Sequence, residues 1–217
     1  MNASTPDFSD IKGLHKEVME CARATLTFRR ILLVTHGFGA VMIASRLNGL
    51  RPELAAIERA LLAGTFQRAG MQAPKTRPFR APHCSSSIAS ILGQRGKPGE
   101  VQLARHGTLF LNDVLDFRRH VIQGIGRNID NSTTLIASTP VCGCINGFRP
   151  SECICGDRVK ASIERHKERV IKDLGITAVI TLPFRSQSDR VQAEPNPDTA
   201  TLIKMIMHGG ATATTAV

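Results

Sequence analysis

The feature that most constrains this chain is an apolar run that meets a glycine turn and then a helix. Ile31-Leu32-Leu33-Val34 is followed by Thr35-His36-Gly37-Phe38-Gly39-Ala40-Val41 and by the helix-like Met42-Ile43-Ala44-Ser45-Arg46-Leu47. A continuous apolar run of this length suits a strand buried on both faces, as in a parallel sheet. A strand, a glycine turn and a helix start also form the setting in which backbone N–H groups cradle phosphate. The phosphate-loop pattern is G-x-x-x-x-G-K-[ST]. Laid on it, the first Gly is Val34, the Lys is Ala40 and the Ser/Thr is Val41, while Gly39 stays in place with an extra Gly37. The frame is present, but the groups that hold phosphate and magnesium are missing. A dinucleotide-binding turn is excluded, because Gly37-x-Gly39 needs Gly or Ala at position 42, which is Met42.

The rest of the chain alternates strand and helix, which predicts an α/β fold with a mostly parallel sheet. Residues 7–13 read as an opening loop. Helices are expected over 14–26, 40–49 with Gly49 as C-cap, 53–69 ending at Gly70, 116–127, about 157–173 and 196–208. Strands are expected at 30–35, 108–111, 133–138 and 176–182. Residues 72–107 are rich in Pro, Gly, Ser and Arg and read as a long structured insertion with short hairpins. A Cys-rich loop spans 141–156. One domain is expected over 1–208, with a flexible tail at 209–217.

With 217 residues the chain is long enough for a sizeable core. No apolar run approaches the ~20 residues that span a bilayer. The N-terminus lacks a basic start and an apolar stretch, so no signal peptide is expected and the cytoplasm is the default compartment. The formal charge of +10 admits two readings, a solvated basic surface or an anionic partner such as nucleic acid. Basic residues cluster at Arg29-Arg30, at Arg118-Arg119 and from Lys160 to Lys172. There is no Trp or Tyr, and the nine Phe do not interleave with these clusters, so an aromatic base-stacking platform is poorly supported.

Cys142-Gly143-Cys144 and Cys153-Ile154-Cys155 form two C-x-C pairs eight residues apart. Four thiolates gathered by a loop can bind zinc (Zn²⁺) tetrahedrally, but the diagnostic spacing is C-x₂-C. Four reduced, partly buried cysteines are the other reading. Cys21 falls on a helical core stripe, and Cys84 is isolated in the insertion. His36 and His83 read as structural residues, without a carboxylate or Ser partner in view.

Several segments together resemble the magnesium-chelatase subunit I group of AAA+ ATPases, in its ComM/YifB branch. Asp7-Phe8-Ser9-Asp10-Ile11-Lys12-Gly13 is similar to the group's opening loop. Arg77-Pro78-Phe79-Arg80-Ala81-Pro82-His83 is close to a signature of the group, with Cys84 where a second His is usual. Lys97-Pro98-Gly99-Glu100 and Ala104-Arg105-His106-Gly107 match the next signature. The four-cysteine loop matches a pattern of the ComM branch. The resemblance spans about residues 6–208.

This resemblance implies a three-layer P-loop NTPase fold, the AAA+ core, with strand order 5-1-4-3-2. It also implies ATP and Mg²⁺ as cofactors, a homo- or hetero-oligomeric ring with ATP between subunits, and for ComM-type proteins a motor acting on DNA. Gly37, Phe38, Gly39, Ala40, Val41 and Asn112 then hold the phosphate-loop and Walker B positions, and Asp113 stands where a catalytic Glu polarises water. The Lys, the Ser/Thr and the magnesium-organising Asp are replaced. No Asn stands at the sensor position near Ser138-Thr139-Pro140, and the family's arginine before the last strand falls on Gly175. The expectation is a domain in which ATP and Mg²⁺ binding is weakened or lost and hydrolysis is lost, with an active motor or a basic nucleic-acid module as alternatives.

Overall fold

A computed structural model describes residues 7–36, 39–142, 144, 153–184 and 192–208. The strands are β1 (Arg30–Thr35), β2 (Phe79–Arg80), β3 (Thr108–Leu111), β4 (Thr134–Pro140) and β5 (Ala178–Leu182). They form one sheet in the order β2-β3-β4-β1-β5. Every neighbouring pair is parallel. This is the expected order, read from the other edge.

Parallel neighbours need crossovers, and these contain the helices α2 (Ala40–Leu47), α3 (Ala56–Arg68), α4 (Ile88–Leu92), α5 (Glu100–Leu103), α6 (Arg119–Asn128) and α7 (Asp157–Leu174), while α1 (His15–Phe28) precedes β1 and α8 (Thr199–His208) follows β5. Side chains alternate across a strand, so the sheet feeds two cores. Ile31 and Leu33 of β1, Phe110 of β3 and Ile136 of β4 pack with Val18 and Cys21 of α1, Ile43 of α2 and Leu202 of α8. Leu32, Val34, Leu109, Leu111, Leu135 and Ala137 pack with Val121, Ile122 and Ile125 of α6 and Val170 of α7. The result is the expected three-layer α/β sandwich. A smaller cluster of Leu54, Leu62, Phe66 and Leu103 seats α3 against α5.

Some boundaries differ from expectation for local reasons. Gly49 does not cap α2. The helix ends at Leu47 and passes into a 3-10 turn at Asn48–Leu50. Asn48 turns the chain there, donating to the Arg77 carbonyl and accepting from the Thr108 hydroxyl. The expected helix at 116–127 divides into a 3-10 turn, Val114–Asp116, and α6, because Phe117 is extended (φ −72°, ψ 142°). α3 starts later than expected, at Ala56, where the Glu58 side chain accepts the Ala55 N–H.

The insertion supplies β2, α4 and α5. Its hairpin is reduced to one antiparallel bridge, Gln94 to Lys97. Gly93 has φ +81°, and a Cβ on Gly99 would lie 2.2 Å from the Gly93 nitrogen. The signature glycine at 99 is therefore set by backbone contact. The tail at 209–217 lies outside the described residues.

Candidate functional site

The carboxyl ends of β1, β3 and β4 lie side by side. In register, Val34 faces Thr139, Thr35 faces Pro140, and Leu111 faces Ala137. Ligands of open parallel sheets bind along this edge. The sheet thus brings the ends of β1, β3 and β4, with Thr35, Asn112 and Pro140, to one edge.

β1 does not turn at Val34. It runs on to Thr35, with Val34 paired to Thr139 on one side and Thr181 on the other. A β-branched residue suits this extended, buried position, where a phosphate loop would begin with glycine. Gly37 and Phe38 lie outside the described residues. Gly39 takes φ 133° and ψ −18° as the N-cap of α2, a conformation that disfavours any other residue.

The next two positions are apolar. Ala40 is 6% exposed and belongs to the core beneath α2, whereas Val41 is 52% exposed. Neither offers a charge or a hydroxyl. Open backbone N–H groups remain at the helix start, as at any helix N-terminus. His36 donates its backbone N–H to Leu182, and its buried Nδ1 has no hydrogen-bond partner among the described residues.

At the end of β3, Asn112 and Asp113 close a small network with Ser138 of β4. The Ser138 hydroxyl donates to Asn112 Oδ1 (3.0 Å) and accepts the Asp113 N–H (3.3 Å). The Asn112 amide donates to Asp113 Oδ2 at 2.7 Å. Both ends of the amide are thus occupied within the protein. Asp113 holds a left-handed backbone (φ 51°). Burial, and then the nearby Asp116, raise its pKa, and the Asn112 bond only partly opposes this.

A cavity of about 270 Å³ adjoins it, lined by Asp113, Asp116, Pro140, Ser162, His166 and Arg169 among others. Sequence reading did not single out Ser138 as a partner, nor Asp116, His166 or Arg169. Their only sequence signals were a missing Asn, an acidic residue three positions on and a basic helix. Gly175 lies before β5, on the opposite edge of the sheet. It caps α7 with φ 62°, and the Arg30 guanidinium reaches over it to the Leu174 carbonyl.

Beyond β4 the four loop cysteines converge. Cys142 follows the strand by two residues, and Cys155 directly precedes Gly156, the N-cap of α7. Their Sγ atoms all lie within 4.8 Å of one another, so the group can hold a metal ion. All are free thiols. The Cys144 N–H and then the Cys155 thiol stabilise Cys142 as thiolate and bring its pKa to about 7. Its close contact with Cys142, and then burial, push Cys155 up to about 12. Cys21 is buried on α1 as expected. Cys84 is not fully isolated, since its sulfur lies 3.9 Å from His83 Nδ1, a nitrogen already taken up by Ser85.

The signature segments lie mostly at the other edge of the sheet. The Arg77 guanidinium donates to the carbonyls of Pro52, Glu53 and His106 and to Glu58 Oε2. Arg51 donates to Gly107 and Ser132, Arg29 to Asn131, and Arg30 to Ile129 and Leu174. Apart from Pro52 and Glu53, which precede α3, these carbonyls flank the starts of the strands. Arg80 grips Glu100 with two parallel bonds of 2.6 and 2.7 Å. Burial, then Arg77 and Arg29, bring the Arg51 pKa down to about 10. A cleft of about 750 Å³ opens here, with Arg51, Arg59, Lys75 and Arg77 among its walls.

A parallel sheet of this order, with a loop-to-helix turn after β1 and Asn112-Asp113 ending the strand two places away, is the three-layer P-loop NTPase fold of the AAA+ class. Sequence comparison narrows it. The profile of the family described as "Magnesium chelatase, subunit ChlI" matches residues 7–140. The competence protein ComM of Haemophilus influenzae is 36% identical over 141 residues, covering 62% of this chain and 28% of that protein. The Escherichia coli protein YifB is 33% identical over 140 residues, covering 61% and 28%. A chain in the solved complex of subunits BchI and BchD of magnesium chelatase superposes with a TM-score of 0.48 at 16% identity, over 94% of this chain and 67% of that one. The chain belongs to the magnesium chelatase subunit ChlI family. It spans little more than a quarter of the length of these ComM and YifB relatives.

Proposed function

We propose that this chain is an AAA+ domain that does not hydrolyse ATP and serves as a structural or regulatory member of an oligomeric assembly. The carrying observation is the Asn112 amide, held between Ser138 and Asp113 where a carboxylate would organise Mg²⁺. Phosphoryl transfer depends on positioning and charge stabilisation, so a neutral amide, a buried Ala40 and an apolar Val41 remove most of what the protein supplies. ATP then binds weakly through backbone N–H groups, or not at all. The unit proposed to act is residues 1–208, with 209–217 as a tail. Reduced thiols suit a cytoplasmic setting, and no helix among the described residues is long and apolar enough to cross a membrane.

Calorimetric titration with ATP, with and without Mg²⁺, and a phosphate-release assay test this reading. The expected result is no turnover and no magnesium-dependent binding. Turnover that requires Mg²⁺ and is abolished by Asp113→Ala would establish an active motor on the same fold.

A second reading, DNA binding, rests on the formal charge of +10 and on the exposed Lys75 in the wall of the cleft it shares with Arg51, Arg59 and Arg77, arginines that are taken up by protein carbonyls. It predicts affinity that falls steeply with salt. Salt-independent binding, or none, would end it.

A further inference from the structure

We propose that Cys142, Cys144, Cys153 and Cys155 bind a single structural zinc ion that ties the exit of β4 to the start of α7. The geometry carries this inference. Zinc–sulfur bonds of about 2.3 Å in a tetrahedron set neighbouring sulfurs about 3.8 Å apart. Here Cys144 to Cys153 is 3.8 Å, Cys153 to Cys142 is 3.6 Å, Cys142 to Cys144 is 3.4 Å and Cys142 to Cys155 is 3.1 Å. All four sulfurs fit around one ion with a small outward adjustment. A cluster of several irons would hold its sulfurs further apart than a single ion does.

The donor set selects the metal. Four thiolates suit zinc, while magnesium and calcium require oxygen ligands. Four protein ligands leave no open position, so the site holds structure and does no chemistry. Its position explains what it holds. One C-x-C pair begins as β4 leaves the sheet, and the other ends where α7 begins. Zinc with four thiolates carries net negative charge, and here it sits at the positive end of an 18-residue helix. The ion closes the crossover from β4 to α7.

The test uses the full chain, purified under reducing conditions without chelator. Elemental analysis is expected to find one zinc per chain. Cys→Ser variants at each of the four positions are expected to lose most of it, whereas Cys21→Ser and Cys84→Ser retain it. Should the four variants fail to fold, the reduced wild-type chain is stripped and titrated with Co²⁺. A tetrahedral thiolate–cobalt spectrum that zinc then displaces supports the site. Hydrogen exchange is expected to show lost protection at the end of β4 and the first turns of α7 on stripping, with β1 and α1 unchanged. Absence of both zinc and cobalt uptake overturns the proposal, as does equal metal loss in the Cys84→Ser control. Iron in place of zinc overturns the choice of metal.

Discussion

The two edges of the sheet use their side chains in opposite ways. Along the amino edge, arginines 29, 30, 51 and 77 bond carbonyls that mostly flank the strand starts, and Arg77 alone reaches three carbonyls and a carboxylate. Along the carboxyl edge, the groups that would meet a nucleotide are apolar or turned onto each other. The segments that resemble the family's signatures therefore lie mostly where they hold the fold together.

The largest expected effect lies at the amino edge. Arg77→Ala takes the donor from three carbonyls and leaves Glu58 with only the Ala55 N–H and the His106 contact, and should cost about 3 kcal/mol in urea unfolding. Asn112→Ala, at the exposed end of β3, should cost under about 1 kcal/mol. Equal losses would break the contrast between the edges.

Next comes Ala40→Lys, which restores the missing charge. Because Ala40 packs into the core beneath α2, the substitution should destabilise by about 1–3 kcal/mol, with no thermal shift on adding Mg–ATP. Recovery of stability with nucleotide would show an intact phosphate site.

A third prediction concerns the opening loop, whose Asp7 carboxyl accepts from Ser9 and from the N–H and hydroxyl of Thr199 on α8. Burial pushes the group up, but these bonds outweigh it and bring its pKa from 3.8 to about 2. Its contribution to stability is complete above the unfolded value and is lost as pH falls through the folded one. The pH dependence of the melting temperature between about 4 and 2 should therefore flatten in Asp7→Asn. An unchanged slope would remove Asp7 from this role.

The smallest effect is expected at Asp113. Its pKa is raised, so ionisation opposes folding once pH rises through the folded value, and no penalty exists below the unfolded 3.8. Asp113→Asn, in a left-handed conformation that Asn tolerates, should raise the melting temperature slightly at neutral pH. A clear fall would mean that the carboxylate is held by something it needs.

The sequence by itself determined the strands at 30–35 and 108–111, because continuous apolar runs in this setting have few other solutions. It also determined which phosphate-loop and Walker B groups are absent, since a missing Lys or Asp is visible without coordinates. The sheet order followed from the family resemblance rather than from periodicity. Only the tertiary structure decided that β1 passes straight through Val34, because that depends on pairing with β4 and β5 on both sides. Only it turned Asn112 onto Ser138, residues 26 apart in the chain. It also gave much of the basic charge a structural use, since an arginine's carbonyl partners lie across the fold and leave no pattern in its sequence neighbours. The cysteines needed both: the spacing named the four residues, and the meeting of β4 with α7 set their sulfurs at the distances of one ion.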